Sequence, residues 1–357
     1  MTDSDPTDAT SPRPPRRSRY AGANPRQFHE KYKELQPDRY AEDVAKVIAS
    51  GKTPAGTHRP IMVHEVLEAL APKPGEVALD CTLGYGGHAR ELLTAVQPGG
   101  RLLAVDVDPV ELPKAEARLR TLGFPEESLV VRRMNYGGVA GFVAKQVPEG
   151  VDILLADLGL SSMQIDDPTR GFTFKVDCPL DLRMNQSKGE AAAAMLAKWD
   201  EVTLAAILVE NADEPHADRL AASIIRAKAR KPLKTTFALV EVIRSTYSRL
   251  VSDPEVADDA VRRVFQALRI AVNDEFTCLE AFLRQLPYCL KPGGRVAILT
   301  FHSGEDRRVK TAFQLGLQDG LYQQISREVL RASAAERRLN PRSTSAKLRW
   351  AIRKTDA

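Results

Sequence analysis

The sequence predicts an α/β protein: a doubly wound, Rossmann-like core interrupted by an all-helical insert. Three observations predict it. Short apolar runs alternate with helix-period segments between residues 60 and 157, the rhythm of a parallel sheet with crossover helices. The first two runs end in an acid, and a glycine-rich turn follows the first. From 166 to 273 only helical periodicity is present, after which the alternation resumes.

Taken in order, residues 1–25 are rich in Pro, Ser, Arg and Asp and cannot bury a core, which predicts a disordered basic arm. Residues 26–50 carry helical spacing (Phe28, Tyr32, Leu35, then Val44, Val47, Ile48), and 51–57 read as a linker. A helix is expected over 61–70, a strand over 76–80 and a helix over 88–95. The turn Pro98-Gly99-Gly100 precedes a strand over 101–106, a helix over 109–122, and strands over 129–133 and 151–157. The insert should hold helices over 191–198, 203–211, 217–230, 235–248 and 258–272. A helix over 276–290, the turn Lys291-Pro292-Gly293-Gly294, a strand over 295–300 and a last strand over 350–353 complete the pattern. The expected division is an extension over 1–54, a core over 55–165 and 274–357, and an insert over 166–273.

Composition narrows the function classes. The chain has 357 residues, 43% hydrophobic and 27% charged, enough for a large core plus a second module. A formal net charge of +4 permits a nucleic-acid partner without requiring one. No apolar run reaches the roughly 20 residues of a membrane span. Asp3, Asp5 and Asp8 argue against a transit peptide. Cys81, Cys178, Cys278 and Cys289 are scattered, with no C-x-x-C spacing. The expectation is therefore a cytoplasmic protein with neither a disulfide framework nor a metal site.

The chemistry gathers in a few segments. Leu83-Gly84-Tyr85-Gly86-Gly87-His88 follows the first strand, where glycines let backbone approach a ligand that any Cβ would block. Asp106 ends the next strand, where a carboxylate accepts hydrogen bonds from a ribose diol. Together these indicate a nucleoside-containing cofactor. Gly84, Gly86 and Ala89 also satisfy G-x-G-x-x-A, so a dinucleotide such as NAD fits this motif equally. Asp157 ends the fourth strand, at the crevice where a reacting group belongs, and the polar loop over 163–185 follows it. His302, after the later strand, can orient a substrate or accept a proton. Asp157 and His302 are the candidate catalytic residues.

These motifs resemble, in order and together, the bacterial small-subunit (16S) ribosomal RNA cytosine-N4 methyltransferases, the MraW family. The resemblance runs from about His58 to Arg353. It also rests on Ala104-Val105-Asp106-Val107-Asp108-Pro109, Asp157-Leu158-Gly159-Leu160-Ser161-Ser162 with Gln164, Arg170-Gly171-Phe172-Thr173-Phe174, Pro179-Leu180-Asp181-Leu182-Arg183-Met184, Phe301-His302-Ser303 with Glu305-Asp306-Arg307, and Asn340-Pro341-Arg342-Ser343. It implies a class I fold using S-adenosylmethionine (SAM), with cofactor contacts from Gly84, Gly86, Gly87, His88, Asp106, Asp157 and Gln164, and Tyr136 beside the adenine. It implies transfer of a methyl group to N4 of a cytidine, with the small ribosomal subunit as partner; a homodimer is left open. Two rivals stay open here: a dinucleotide-dependent oxidoreductase, and an inactive ribosome-assembly factor on the same fold.

The sequence departs from the family at Cys81, Leu83, Cys178, Asn185 and Gly304, and at residues 211–216, and its first fifty residues look additional. Pro215 cannot sit inside a helix without removing a hydrogen bond, so the backbone there is expected to differ and to re-aim the basic helix after it. That helix and the residues just beyond it (Arg226, Lys228, Arg230, Lys231, Lys234), with Arg337, Arg338 and Arg342, are the expected phosphate contacts. Phe172 and Phe174 are the expected aromatic holders of the base.

Overall fold

The central runs that the sequence marks as strands, 76–80, 101–106, 151–157 and 295–300, are largely buried, as strands covered on both faces must be, while the edge run 129–133 ends exposed. The computed structural model describes residues 60–355. Seven strands form one sheet: β1 Val77–Asp80, β2 Arg101–Asp106, β3 Leu129–Arg133, β4 Val151–Asp157, β5 Leu290–Thr300, β6 Tyr322–Ile325 and β7 Lys347–Arg353. Their order is β3-β2-β1-β4-β5-β7-β6. β1 to β5 pair in parallel, and β7 runs antiparallel between β5 and β6. The Lys291–Gly294 turn is absorbed into β5. There the register against β4 jumps from Val151↔Leu290 to Ile153↔Arg295.

Side-chain alternation splits the core between the two faces. Leu79, Leu103, Val105, Leu154 and Ala156 point one way, onto α4 (Val139–Gln146), α11 (Glu275–Cys289) and α12 (Ser303–Gln318). Ala78, Leu102, Ala104, Ile153 and Leu155 point the other way, onto α1 (Val63–Leu70), α2 (Gly87–Ala95) and α3 (Glu111–Arg120). The helices α4 and α12, strand β6 and the short α13 (Ala334–Leu339) are additions to the sequence reading. Glycines inside α4 (Gly141) and α12 (Gly304, Gly316) weaken the helical signal there.

Between β4 and β5 the chain forms α5 (Ser162–Asp166), then α6 (Ala192–Lys198), α7 (Glu201–Ala212), α8 (Ala217–Arg230), α9 (Thr236–Tyr247) and α10 (Pro254–Asn273). The last five enclose a separate core that includes Leu204, Leu208, Leu220, Ile224, Leu239, Ile243, Val264 and Leu268. Caps set their starts: Asp200 accepts from Thr203 N at 2.8 Å, and Asp253 accepts from Glu255 N with Pro254 in the first turn. Asp274, left-handed at φ 51°, ends α10 and returns the chain to the sheet.

Pro215 corrects an expectation. It lies between α7 and α8, so no helical hydrogen bond is lost and the backbone argument built on it fails. Neighbouring Glu214 is buried and accepts from Arg263 Nε at 2.7 Å and from the Tyr247 hydroxyl, which pins the turn to α9 and α10. The expected arm and helix over 1–54 lie outside the described residues.

Candidate active site

β1 sits between β2 and β4, so the crossovers leave in opposite directions and open a crevice at the carboxyl ends of these strands. A cavity of about 680 Å³ occupies it. One wall is made by the strand ends and the loops after them: Thr82 to Tyr85, Gly87, His88, Asp106, Met134 to Tyr136, and Asp157 to Ser161. The other wall comes from Phe172, Phe174, Leu182 and Met184, from α10, and from Asn340, Arg342 and Ser345; Phe301 and Glu305, after β5, and the start of α11, against Gly137, complete the lining beside the first wall.

Backbone geometry requires the glycines of the first wall. Gly84 and Gly86 have φ of 50° and 85°, and Gly86 is the residue before α2. A Cβ on Gly87 would stand 3.1 Å from three atoms of the Pro60 ring. The loop is tied to the second acid, because Gly84 N donates to Asp106 Oδ2 at 2.7 Å and Asp108 N donates to Asp106 Oδ1 at 2.9 Å. Burial raises the Asp106 pKa, against these two donors. Asp80, at the end of β1, is fully buried. Burial pushes its carboxyl up to about 6, against the hydrogen bond from Thr82 N.

Asp157 has two unlike oxygens. Oδ2 lies 3.4 Å from His88 Nδ1, and His88 Nε2 donates to the Ile61 carbonyl at 2.9 Å. Burial alone would lower the His88 pKa, but the Asp157 carboxylate outweighs it and the net shift is upward. Oδ1 is buried with no hydrogen-bond partner among the described residues. Oδ1 is shielded, while the Asp157 side chain as a whole is 28% exposed and lines the cavity.

The other expected residues divide. Tyr136 lines the cavity and packs edge-on against Phe282, with ring centroids 5.4 Å apart. Gln164 also lines it, yet its amide is engaged at both ends: Oε1 accepts from Ser161 N at 2.9 Å, and Nε2 donates to Asp108 Oδ2 at 2.8 Å. Phe172 and Phe174 line the cavity while packing with the helical core, Phe174 at 5.5 Å from Phe265. His302 does not line the cavity. It caps α12 and stands 3.2 Å from Glu305 Oε1. Glu305 is the member of that segment in the wall. It is buried, accepts from Phe301 N at 2.8 Å, and is held low by His302 and Arg269 against the upward push of burial. Gly304 is explained here, since a Cβ on it would meet Phe276 Cζ at 2.6 Å.

Sequence reasoning missed the pairs behind the walls. Arg170 and Asp108 form a buried ion pair at 2.8 Å, and Arg269 holds Glu275 through two bonds of 2.8 Å. Asn273 donates to the Leu182 carbonyl at 2.7 Å and accepts from Met184 N at 2.8 Å, which fixes that loop to the end of α10. Arg170 and Asp108 join two of the quoted motifs, so there the signal was co-occurrence; Arg269, Glu275 and Asn273 lie outside those motifs. The basic helix α8 is not in the wall, and Lys228 is engaged elsewhere, donating to the carbonyls of Leu196, Ala197 and Trp199 at the end of α6.

A Rossmann-like sheet with an antiparallel β7 between β5 and β6, carrying a glycine loop and acids at its strand ends, defines a class I methyltransferase fold. The chain belongs to the MraW methylase family, whose model matches residues 55–354. It is 47% identical to "Ribosomal RNA small subunit methyltransferase H 1" of Lachnoclostridium phytofermentans, over 98% of this chain and 95% of that one. It is 48% identical to "Ribosomal RNA small subunit methyltransferase H 2" of Alkaliphilus metalliredigens, over 95% and 97%. "Ribosomal RNA small subunit methyltransferase H" of Symbiobacterium thermophilum is 38% identical over 83% of this chain and 96% of its own. The 98% match reaches into the first fifty residues, so that extension has a counterpart in a relative and is not peculiar to this chain. Membership in a methylase family removes the oxidoreductase rival. Among the described residues, no helix is long and apolar enough to cross a membrane.

Proposed function

We propose that this chain transfers a methyl group from SAM to the exocyclic N4 of a cytidine in small-subunit ribosomal RNA. The observation that carries this reading is Asp157 at the end of β4, its carboxylate fixed by His88 and its side chain 28% exposed in the wall of a glycine-floored cavity. The names of the relatives supply the RNA; the strand-end wall supplies the chemistry.

The residues fit the cofactor. Asp106 and Asp157 give the strand-end wall an acidic character suited to a cationic ligand. When bound, SAM supplies a methyl group on a positively charged sulfur. The loop Gly84 to His88 would hold its amino-acid end, the Asp106 carboxylate its ribose and Tyr136 its adenine side. Gln164 supports this wall through Asp108 and Arg170.

Cytosine N4 is a poor nucleophile because its lone pair is delocalised into the ring. An acceptor held against N4–H favours the reactive geometry and takes charge as the bond forms. The Asp157 carboxylate is that acceptor, with the Leu158 carbonyl next along the chain. His88 holds Asp157 Oδ2 and so fixes the carboxylate. His302 acts as a positioning residue, setting Glu305 in the wall by capping α12. Residues 166–273 serve as the substrate-recognition insert through α10 and the 172–184 loop, not through α8. A base in structured RNA must unstack to enter such a cavity.

Nucleosides digested from small-subunit RNA of deletion and wild-type strains test the reading. N4-methylcytidine should fall in the deletion strain and return on complementation. An unchanged level, with no second enzyme covering the site, contradicts it. Retained SAM binding without transfer to any RNA would favour the assembly-factor rival.

A further inference from the structure

The two walls leave one question open: what seats the nucleotide whose base enters. Among the described residues, three arginines and no lysine line the cavity. Arg269 is committed, with a side chain 15% exposed and two bonds to Glu275. The other two are accessible and come from elements far apart in sequence. Arg262 lies on α10, with a side chain 64% exposed and an ion pair to Asp259 one turn earlier, itself 57% exposed. Arg342 lies in the 3-10 turn Pro341–Ser345, is 37% exposed, and reaches Asp166 only at 3.3 and 3.4 Å.

We propose that Arg262 and Arg342 form a two-sided phosphate clamp at the cavity mouth, seating the RNA backbone on either side of the flipped nucleotide. The proposal rests on the RNA reading above. The Arg262 pair is exposed and so contributes little, and Arg342 meets a half-buried Asp166 only through long contacts, so each arginine gives up its carboxylate at small cost. A guanidinium meets a phosphate through paired, charge-assisted bonds that are stronger than the exposed pair they replace. The approach is basic as well: Arg337 and Arg338, on α13 just before Arg342, are exposed. The geometry also separates mouth from cofactor, because neither arginine is bonded to the glycine loop, to Asp106 or to Asp157.

The test is steady-state methyl transfer from labelled SAM to purified small subunits at two salt concentrations, with SAM affinity measured by calorimetry. Arg262→Gln with Arg342→Gln should raise KM for subunits at least roughly tenfold, keep kcat within about threefold, and flatten the salt dependence by about one to two phosphate contacts. SAM affinity should stay within about twofold. Asp259→Asn and Asp166→Asn remove the competing carboxylates and should move KM the other way, lowering it. If the double arginine variant melts below the assay temperature, these two variants decide: a lowered KM supports the clamp and an unchanged one overturns it. Wild-type KM and salt slope in a folded double variant overturn the clamp alone. A wild-type protein that transfers no methyl to small subunits overturns the RNA reading, and the clamp with it.

Discussion

The two walls of the cavity are built by different means. The strand-end wall is positioned by backbone: Gly84 N and Asp108 N hold Asp106, Thr82 N holds Asp80, and both glycine conformations are local. The facing wall is positioned by side chains from 172–184, from α10 and from Asn340, Arg342 and Ser345, which meet only in the folded chain. A backbone-built wall tolerates no change of ligand class, whereas a side-chain-built wall can be retuned one residue at a time. That difference divides the expected effects of substitution.

The largest effect should come from Asp157→Asn, which keeps size and removes the carboxylate charge from the wall. Turnover should fall roughly 10²–10³-fold, with a much smaller change in melting temperature. Single-turnover rates beside a thermal melt check this, and a full-rate variant would remove Asp157 from the reaction. Next is Asp106→Ala. It removes the ribose acceptor and also releases Gly84 N, and charge-assisted bonds contribute about 1.5–3 kcal/mol each, so SAM affinity should fall about 100-fold or more. Calorimetry showing unchanged affinity would mean that the cofactor wall is misassigned.

A smaller effect is pH-dependent. The Asp80 carboxyl is raised to about 6, so the folded state holds that proton more tightly than the unfolded chain. Its contribution is therefore most favourable below pH 4, falls as pH rises through the window from about 4 to 6, and is constant above it. The amplitude is on the order of 2–3 kcal/mol. Urea melts of wild type and Asp80→Asn at pH 4 and 7 should show the variant gaining on the wild type between the two; parallel pH profiles would rule the account out. The smallest effect concerns the helix that does not face the cavity. Lys228→Met should cost roughly 1–2 kcal/mol, because three carbonyls at the end of α6 lose a charged donor, and should leave KM for small subunits unchanged. A raised KM without lost stability would return α8 to the RNA surface.

The same contrast explains what could be read from sequence. β1, β2 and β4, the glycine loop, Asp106 and Asp157 were legible because each follows from local periodicity or a local turn. The start of α12 was read as chemistry, since histidine is an uncommon cap and the reciprocal bond with Glu305 appears only in three dimensions. His302 therefore drew the attention that Glu305 warranted. Lys228 read as a phosphate contact because a charge count cannot see the carbonyls it meets. Pro215 looked disruptive because the resembled family has a helix start there, although the helices expected over 203–211 and 217–230 already left it between them, as the structure does. Arg262 carried no signal, being one arginine among many until the fold set it at the mouth.

The most direct test of the central claim is in vitro transfer of labelled methyl from SAM to purified small ribosomal subunits, followed by nucleoside digestion and chromatography. The account predicts label in N4-methylcytidine with wild-type protein and its near-complete loss with Asp157→Asn. Label in any other nucleoside, or equal label with Asp157→Asn, would contradict it.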